Sequence, residues 1–300
     1  MLYVACHDTG GAQVLAHWLL NTDQSFHANL KGPSVRVFID TFGTFTQVST
    51  LPDLAKYSNV ITSTSWQSDH EKIMRKHARK EGIYSIAVLD HWTHYRNRFS
   101  YDHQLVLPDE VWVTDDYSFA LATLEFAGLP IKQIPNYFIA YIRSQYAQKH
   151  SNLCFHAKKT RSGKRVLYVF EPDSEHRRCL KESGADAHLL EYDELSAFSF
   201  FIHCLSFFPY DISHIILRPH PSEDPLKYQH LVSNMPISIF MSVNHSLVDD
   251  LCESDIIVGC QSMAIYIGAM CGLEAYSSIP PNGGECILPT QNIKMLRDLL

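Results

Sequence analysis

Residues 217–228, L-R-P-H-P-S-E-D-P-L-K-Y, decide how the rest of the chain is read. The apolar run at 215–217 has the character of a strand and leads into Arg218, His220 and Pro221. A cation and an imidazole are thus delivered to the carboxyl end of a strand, where open α/β sheets bind their ligands. Residues 255–272, D-I-I-V-G-C-Q-S-M-A-I-Y-I-G-A-M-C-G, repeat the arrangement: a strand at 256–258, a turn at Gly259, small and hydroxyl residues, then an apolar helix. A turn of that kind at a helix N-terminus offers backbone N–H groups to an anion. Two such elements at neighbouring strand ends imply a phosphate-bearing ligand.

Working outward, strands alternate with helices, the pattern of a parallel sheet. The first half reads as strands at 2–6, 35–39, 59–62, 84–89, 110–113 and 130–135, with helices at 12–20, 69–81 and 117–127. The second half restarts with strands at 165–170, 214–217, 237–240 and 255–258, a helix at 195–207, a short strand before Ser277, and a final helix at 293–300. Residues 145–164 are polar and basic without periodicity. The expected organisation is α/β: a Rossmann-like domain at 1–150, a linker at 151–164 and a second Rossmann-like domain at 165–300. No internal repeat is present.

Composition narrows the function. Hydrophobic residues make up 46% of the chain, enough for two cores, and the net charge of −7 argues against nucleic acid as a partner. The eight cysteines form no C-x-x-C pair, which predicts buried, reduced thiols and a cytoplasmic protein, not a disulfide framework or a zinc site. The N-terminus lacks a basic segment followed by a long apolar one, so no secretory signal is expected. The apolar stretch at 198–208 contains His203 and is too short to span a bilayer. Peripheral contact with the inner face of the membrane stays open.

Two similar βα domains facing a central cleft match the GT-B architecture of nucleotide-sugar glycosyltransferases. The H-P of R-P-H-P (218–221) and the serine turn G-C-Q-S-M-A (259–264) resemble the paired motifs of bacterial GT-B sialyltransferases and Kdo transferases, which use CMP-activated sugars. H-D-T-G-G-A-Q-V-L (7–15), T-S-T-S-W-Q-S-D-H-E-K (62–72), A-V-L-D-H-W-T-H-Y-R-N-R-F (87–99), L-P-D-E-V-W-V-T-D-D-Y (107–117) and S-S-I-P-P-N-G-G-E-C-I-L-P (277–289) are similar to a group associated with nonulosonic-acid biosynthesis. The resemblance covers most of the chain. CDP-glycerol polymerases carry a similar R-P-H-P element, and the sialyltransferase base motif of two acidic residues and a glycine is absent here.

The resemblance implies transfer of a nonulosonic acid or Kdo from its CMP donor to a hydroxyl of a glycan or lipid-linked glycan. His220 would hydrogen-bond the leaving phosphate as acid or charge stabiliser. Arg218 would donate to the phosphate or carboxylate, or support His220 from behind, the alternative being an ion pair with Glu223 or Asp224. Ser262 and its neighbouring amides would cradle the phosphate, the alternative being a helix cap. Glu171, on the first strand-end loop of the second domain, would accept from the ribose or the cytosine amine, and Ser277 and Ser278 would wrap the nucleotide or sugar. The base is expected in the first domain. Asp8 comes first and Asp90 second, with His7, Gly10, Gly11 and His91 on the acceptor side. Gly10-Gly11 is not a dinucleotide fingerprint. Asp115 and Asp116 read as a helix cap, Trp92, Tyr95 and Phe99 as core, and neither a cofactor nor a metal is expected. The alternatives are a CDP-polyol phosphotransferase or a sugar-nucleotide epimerase on the same fold, and a nucleotide-sugar-binding module without catalysis.

Overall fold

The strand Leu2–Cys6 is apolar and buried along its whole length, as a central strand of a parallel sheet must be when helices cover both faces. A computed structural model describes the chain except residues 49–52, 66–67, 158–162, 173–191, 222, 234–236 and 243–244. It divides into two compact units, Met1–Ala140 and Tyr141–Leu300.

In the first unit the elements run β1 (Leu2–Cys6), α1 (Thr9–Thr22), β2 (Phe26–Leu30), α2 (Ser34–Phe42), β3 (Asn59–Thr62), α3 (His70–Lys80), β4 (Ser85–Val88), a small hairpin β5 (Ser100–Tyr101) and β6 (Gln104–Leu105), β7 (Glu110–Val113), α4 (Asp116–Glu125) and β8 (Ile131–Gln133). Six strands form a parallel sheet in the order β2-β1-β3-β4-β7-β8. Alternation along β1 builds both cores. Leu2, Val4 and Cys6 pack with Leu15 of α1 and Phe38 of α2. Tyr3 and Ala5 face the other way, onto Met74 and Ala78 of α3.

The second unit contains most of α5 (Tyr137–Ala157), then β9 (Lys164–Val169), α6 (Glu194–Cys204), β10 (Ile212–Arg218), α7 (Gln229–Ser233), β11 (Ser238–Met241), α8 (Leu247–Cys252), β12 (Ile256–Gly259), α9 (Met263–Met270), β13 (Glu274–Ser277) and β14 (Ile293–Met295). Its six-stranded parallel sheet has the order β11-β10-β9-β12-β13-β14. Val166, Tyr168 and Phe170 meet Phe198 and Phe201 of α6 on one face. Gly268 brings α9 against the other, where an added Cβ would lie 2.8 Å from Ile257 Cγ2.

Three elements differ from the sequence reading. Residues 35–39, expected as a strand, lie in α2, and the second strand is β2. Val35, Phe38 and Phe42 recur at helical spacing and face the core together, so the period of burial overrides the β-branched composition. Residues 293–300, expected as a helix, form β14 and a single 3₁₀ turn, because Ala275–Ser277 offers Ile293–Met295 a sheet edge to pair with. Residues 145–157, read as aperiodic, belong to α5, so the units meet at 140/141 instead of 150 and a helix runs through 151–157, the first half of the expected linker.

Among the described residues, Cys6, Cys204, Cys252, Cys260 and Cys286 are buried free thiols and Cys271 is half-buried. No described helix is long and apolar enough to cross a membrane.

Candidate functional site

Strand order in the second unit reverses between β9 and β12, which opens a crevice at their carboxyl ends. Gly259 ends β12 close against β9: a Cβ there would stand 2.7 Å from the Val169 carbonyl oxygen, so only glycine fits. The chain then turns through Cys260 and Gln261 into α9. Glu171, just past β9, reaches into this turn, where its Oε1 accepts the Gln261 backbone N–H at 2.6 Å. The Cys260 and Ser262 amides on either side of Gln261 also favour its charged form. At the turn where the sequence suggested an anion site, the structure places the protein's own Glu171 carboxylate. The partner of Glu171 Oε1 in this structure is thus a backbone amide and not the ribose or cytosine expected from the sequence. Burial outweighs the three amides and pushes the Glu171 carboxyl up to about 7.

Ser262 caps α9, its Oγ accepting the Ala264 N–H at 3.2 Å. Ser277 and Ser278 are fully buried. Ser277 donates to the Cys260 carbonyl at 2.6 Å, and Ser278 shares a 3.1 Å hydrogen bond with the Tyr168 hydroxyl. Both hydroxyls brace the protein around this turn, which corrects the expectation that they wrap a ligand.

His220 lies two residues beyond β10, the other neighbour of β9. Its carbonyl accepts the Glu223 N–H at 2.9 Å. Glu223 accepts in turn from the Tyr228 hydroxyl at 3.0 and 2.9 Å and from Lys227 at 2.8 Å. Lys227 also pairs with Glu194, and Tyr228, fully buried, stacks on Phe170 at 3.8 Å. The turn carrying His220 is thereby anchored to the core. Burial lowers the proton affinity of the imidazole and Glu223 partly restores it.

Arg218 forms an ion pair, as one of the sequence readings allowed, but with another partner. Its Nη1 donates to Asp250 Oδ2 at 2.5 Å, to the His245 carbonyl at 3.0 Å and to Ser242 Oγ at 3.4 Å. Asp250 comes from α8 and is fully buried. The ion pair tying β10 to α8 replaces the expected partners Glu223 and Asp224, and makes Arg218 a strut beneath the His220 turn.

The first unit has its own reversal, between β1 and β3. His7 and Asp8 follow β1, and His7 Nδ1 lies 2.6 Å from Asp8 Oδ1, with both side chains 30% exposed. Asp8 precedes α1 without capping it through its side chain. Ser63 follows β3, and its hydroxyl donates to Glu71 Oε1 at 2.8 Å, the same oxygen that accepts the His7 N–H at 2.9 Å. Asp90 follows β4 and pairs with Arg98 at 3.2 Å, both side chains nearly buried at 10% and 6% exposure. It is a structural ion pair more than an open base. The room expected around Gly10 and Gly11 is filled: a Cβ on Gly10 would lie 2.3 Å from Asp90 Oδ2, and one on Gly11 2.6 Å from Ser63 Cβ. The glycines admit protein, not sugar. His91 Nδ1 lies 3.2 Å from Thr93 Oγ1 and its ring packs on Trp92. Trp92, Tyr95 and Phe99 are core residues, and Asp115 caps α4 by accepting the Ser118 N–H at 2.7 Å.

Sequence reasoning missed Glu71, Arg98 and Asp250. Each is a charged residue whose burial no local motif marks, and only the register of the helices and loops turns it inward. Among the described residues, no three His, Cys, Asp or Glu side chains are grouped to hold a metal.

No protein-family model matches the chain, and no curated protein does. Solved structures do. The glycotransferase of kitacinnamycin superposes with TM-score 0.55 at 12% identity, over 98% of this chain and 85% of its own. The UDP-GlcNAc 2-epimerase from Neisseria meningitidis, bound to UDP-GlcNAc, superposes with TM-score 0.60 at 9% identity, over 100% and 89%. The fold is GT-B. The wall teichoic acid polymerase TagF covers 92% of this chain and 69% of its own at 11% identity, but its TM-score of 0.40 is too low to bear on the comparison.

Proposed function

We propose that the chain is a glycosyltransferase that moves a nonulosonic acid or Kdo from its CMP-activated form to a hydroxyl of a surface glycan, without a metal ion. The observation that carries this reading is the gathering of His220, Glu171 and the 260–262 amides at three adjacent strand ends of the second unit. We read these strand ends as the place for one phosphate, entering beside Glu171 with the His220 turn on the neighbouring strand. A CMP-sugar presents one phosphate, which needs a divalent ion less than a pyrophosphate does.

In the reaction, Asp8 of the first unit takes the proton of the acceptor hydroxyl. The acceptor oxygen forms its bond to the anomeric carbon as the carbon–oxygen bond to phosphate breaks. The electron pair stays on the phosphate, and His220 hydrogen-bonds it as CMP departs. His7 orients Asp8, His91 stays on the acceptor side, and Arg218 holds the His220 turn. The acceptor is a glycan or lipid-linked glycan met at the cytoplasmic face of the membrane.

Calorimetry and thermal shift with a nucleotide panel test this. CMP and CMP-sugars should stabilise the protein by about 2.7 kcal/mol at a hundredfold excess over Kd, and CDP and UDP should not. Ser262→Ala should weaken CMP binding by about 1–2 kcal/mol, while Asp8→Asn leaves it unchanged and lowers transfer. A sugar-nucleotide epimerase is the second reading, favoured by the whole-chain likeness to the UDP-GlcNAc 2-epimerase. Preference for UDP, with isomerisation of a UDP-sugar in the absence of acceptor, would establish it instead. Transfer should survive excess EDTA; loss restored by Mg²⁺ or Mn²⁺ would refute the metal-free donor site.

The Glu171 carboxyl adds a pH dependence. A phosphate entering beside Glu171 favours the protonated carboxyl, whose value in the free protein is about 7. CMP affinity should therefore fall as pH rises above 7, with proton uptake on binding. Glu171→Gln should remove both effects, as read by calorimetry in buffers of different ionisation enthalpy.

A further inference from the structure

The transfer chemistry leaves one buried acid of the first unit without a role. Glu71, in the first turn of α3, is fully buried. Its Oε1 accepts two hydrogen bonds, from the His7 backbone and the Ser63 hydroxyl, while Oε2 is equally buried and has no partner among the described residues. An orphaned buried oxygen is costly, and tying β1 to β3 does not require it. Arg75, one turn further along α3, spends its N–H groups elsewhere. They go to Thr62 Oγ1 at 2.9 Å and to the carbonyls of Arg98, Val106 and Ser63 at 3.0, 3.2 and 3.4 Å. Its charge reaches Glu71 only through space.

Glu71 faces His7 and Cys6 at the end of β1, Ser63 after β3, Arg75 on its own helix, and Asp8, with Asp90 beyond Asp8. Burial is the strongest influence and raises its proton affinity. Ser63 and Arg75 oppose the rise, and the charge of Asp8 adds to it. We propose that Glu71 is a positioning residue for the His7–Asp8 dyad: its paired oxygen fixes the His7 backbone, and its unpaired oxygen exchanges one proton that sets the charge around the dyad. The role in turnover rests on reading Asp8 as the base. When Glu71 loses its proton, the new negative charge makes Asp8 the stronger proton acceptor, so transfer should rise through that ionisation.

The His7 ring signals in NMR spectra of the full chain, assigned by their absence in His7→Gln, report the ionisation without any substrate. A step at a pH above the ordinary carboxylate range is expected, separate from the titration of the ring itself. Glu71→Gln keeps an oxygen for both hydrogen bonds and should abolish the step. Ser63→Ala removes a donor that favours the ionised form, so the step should move up by about one pH unit. The pH profile of kcat/KM should show the same step, flattened in Glu71→Gln with a plateau about tenfold lower. A step that persists in Glu71→Gln, or stays in place in Ser63→Ala, overturns the proposal. If the transferase reading is wrong, turnover is absent while the His7 step remains. If the Glu71 reading is wrong, transfer proceeds and the step is missing.

Discussion

His220→Ala should lower transfer by about two to four orders of magnitude while leaving the melting temperature close to that of the parent. The turn bearing His220 is held by the backbone bond to Glu223 and by the Tyr228, Lys227 and Glu194 network, all of which survive the substitution. Under the proposed mechanism, what is lost is the imidazole that would hydrogen-bond the departing phosphate as charge builds on it. His220→Gln, which keeps an amide N–H at similar reach, should recover part of the loss. Single-turnover measurements separate this from donor binding, which should weaken far less than the chemical step. A folded His220→Ala protein with near-parental turnover would remove His220 from the mechanism.

Asp250→Ala should cost about 3–5 kcal/mol of the second unit's stability, the range for stranding one member of a buried ion pair. Asp250 is fully buried and accepts from Arg218 at 2.5 Å and from Ser242 Oγ at 2.7 Å. Removing it leaves the guanidinium of Arg218 with a carbonyl and a hydroxyl but no counter-charge. Asp250→Asn retains an acceptor and should cost less. The double variant Arg218→Met with Asp250→Leu should recover most of the loss, because two apolar side chains need no charge compensation. Urea denaturation reads all three. A cost for Asp250→Ala below about 1 kcal/mol would mean that water reaches the pair.

The parallel-sheet pattern, two units and most strands were legible because buried strands are continuous apolar runs bounded by turn residues. The turn after β12 was legible for a local reason: strand, glycine, small residues and helix follow one another in the chain. What fills that turn was not. Glu171 stands 90 residues from Gln261, and only the placement of β9 beside β12 brings it in. Likewise Arg218 and Asp250 lie 32 residues apart, so the nearer Glu223 and Asp224 were the obvious partners. The segment at 35–39 misled through its β-branched residues, whereas its apolar spacing was helical. β2 was overlooked because His27 and Asn29 interrupt it; Asn29 is nevertheless buried, donating to the Tyr3 hydroxyl at 2.8 Å.

The buried cysteines turn the chain into its own stability gauge. Burial pushes the Cys6 thiol up to about 12 and the half-buried Cys271 to about 11, so neither is a ready thiolate in the folded state. A maleimide or disulfide reagent reaches Cys6 only when the first unit opens, and Cys204, Cys252, Cys260 or Cys286 only when the second does. Peptide-resolved alkylation rates would then record the opening of each half separately, in one sample and without an engineered tag. The same clocks, run with and without CMP, would show which half the nucleotide closes.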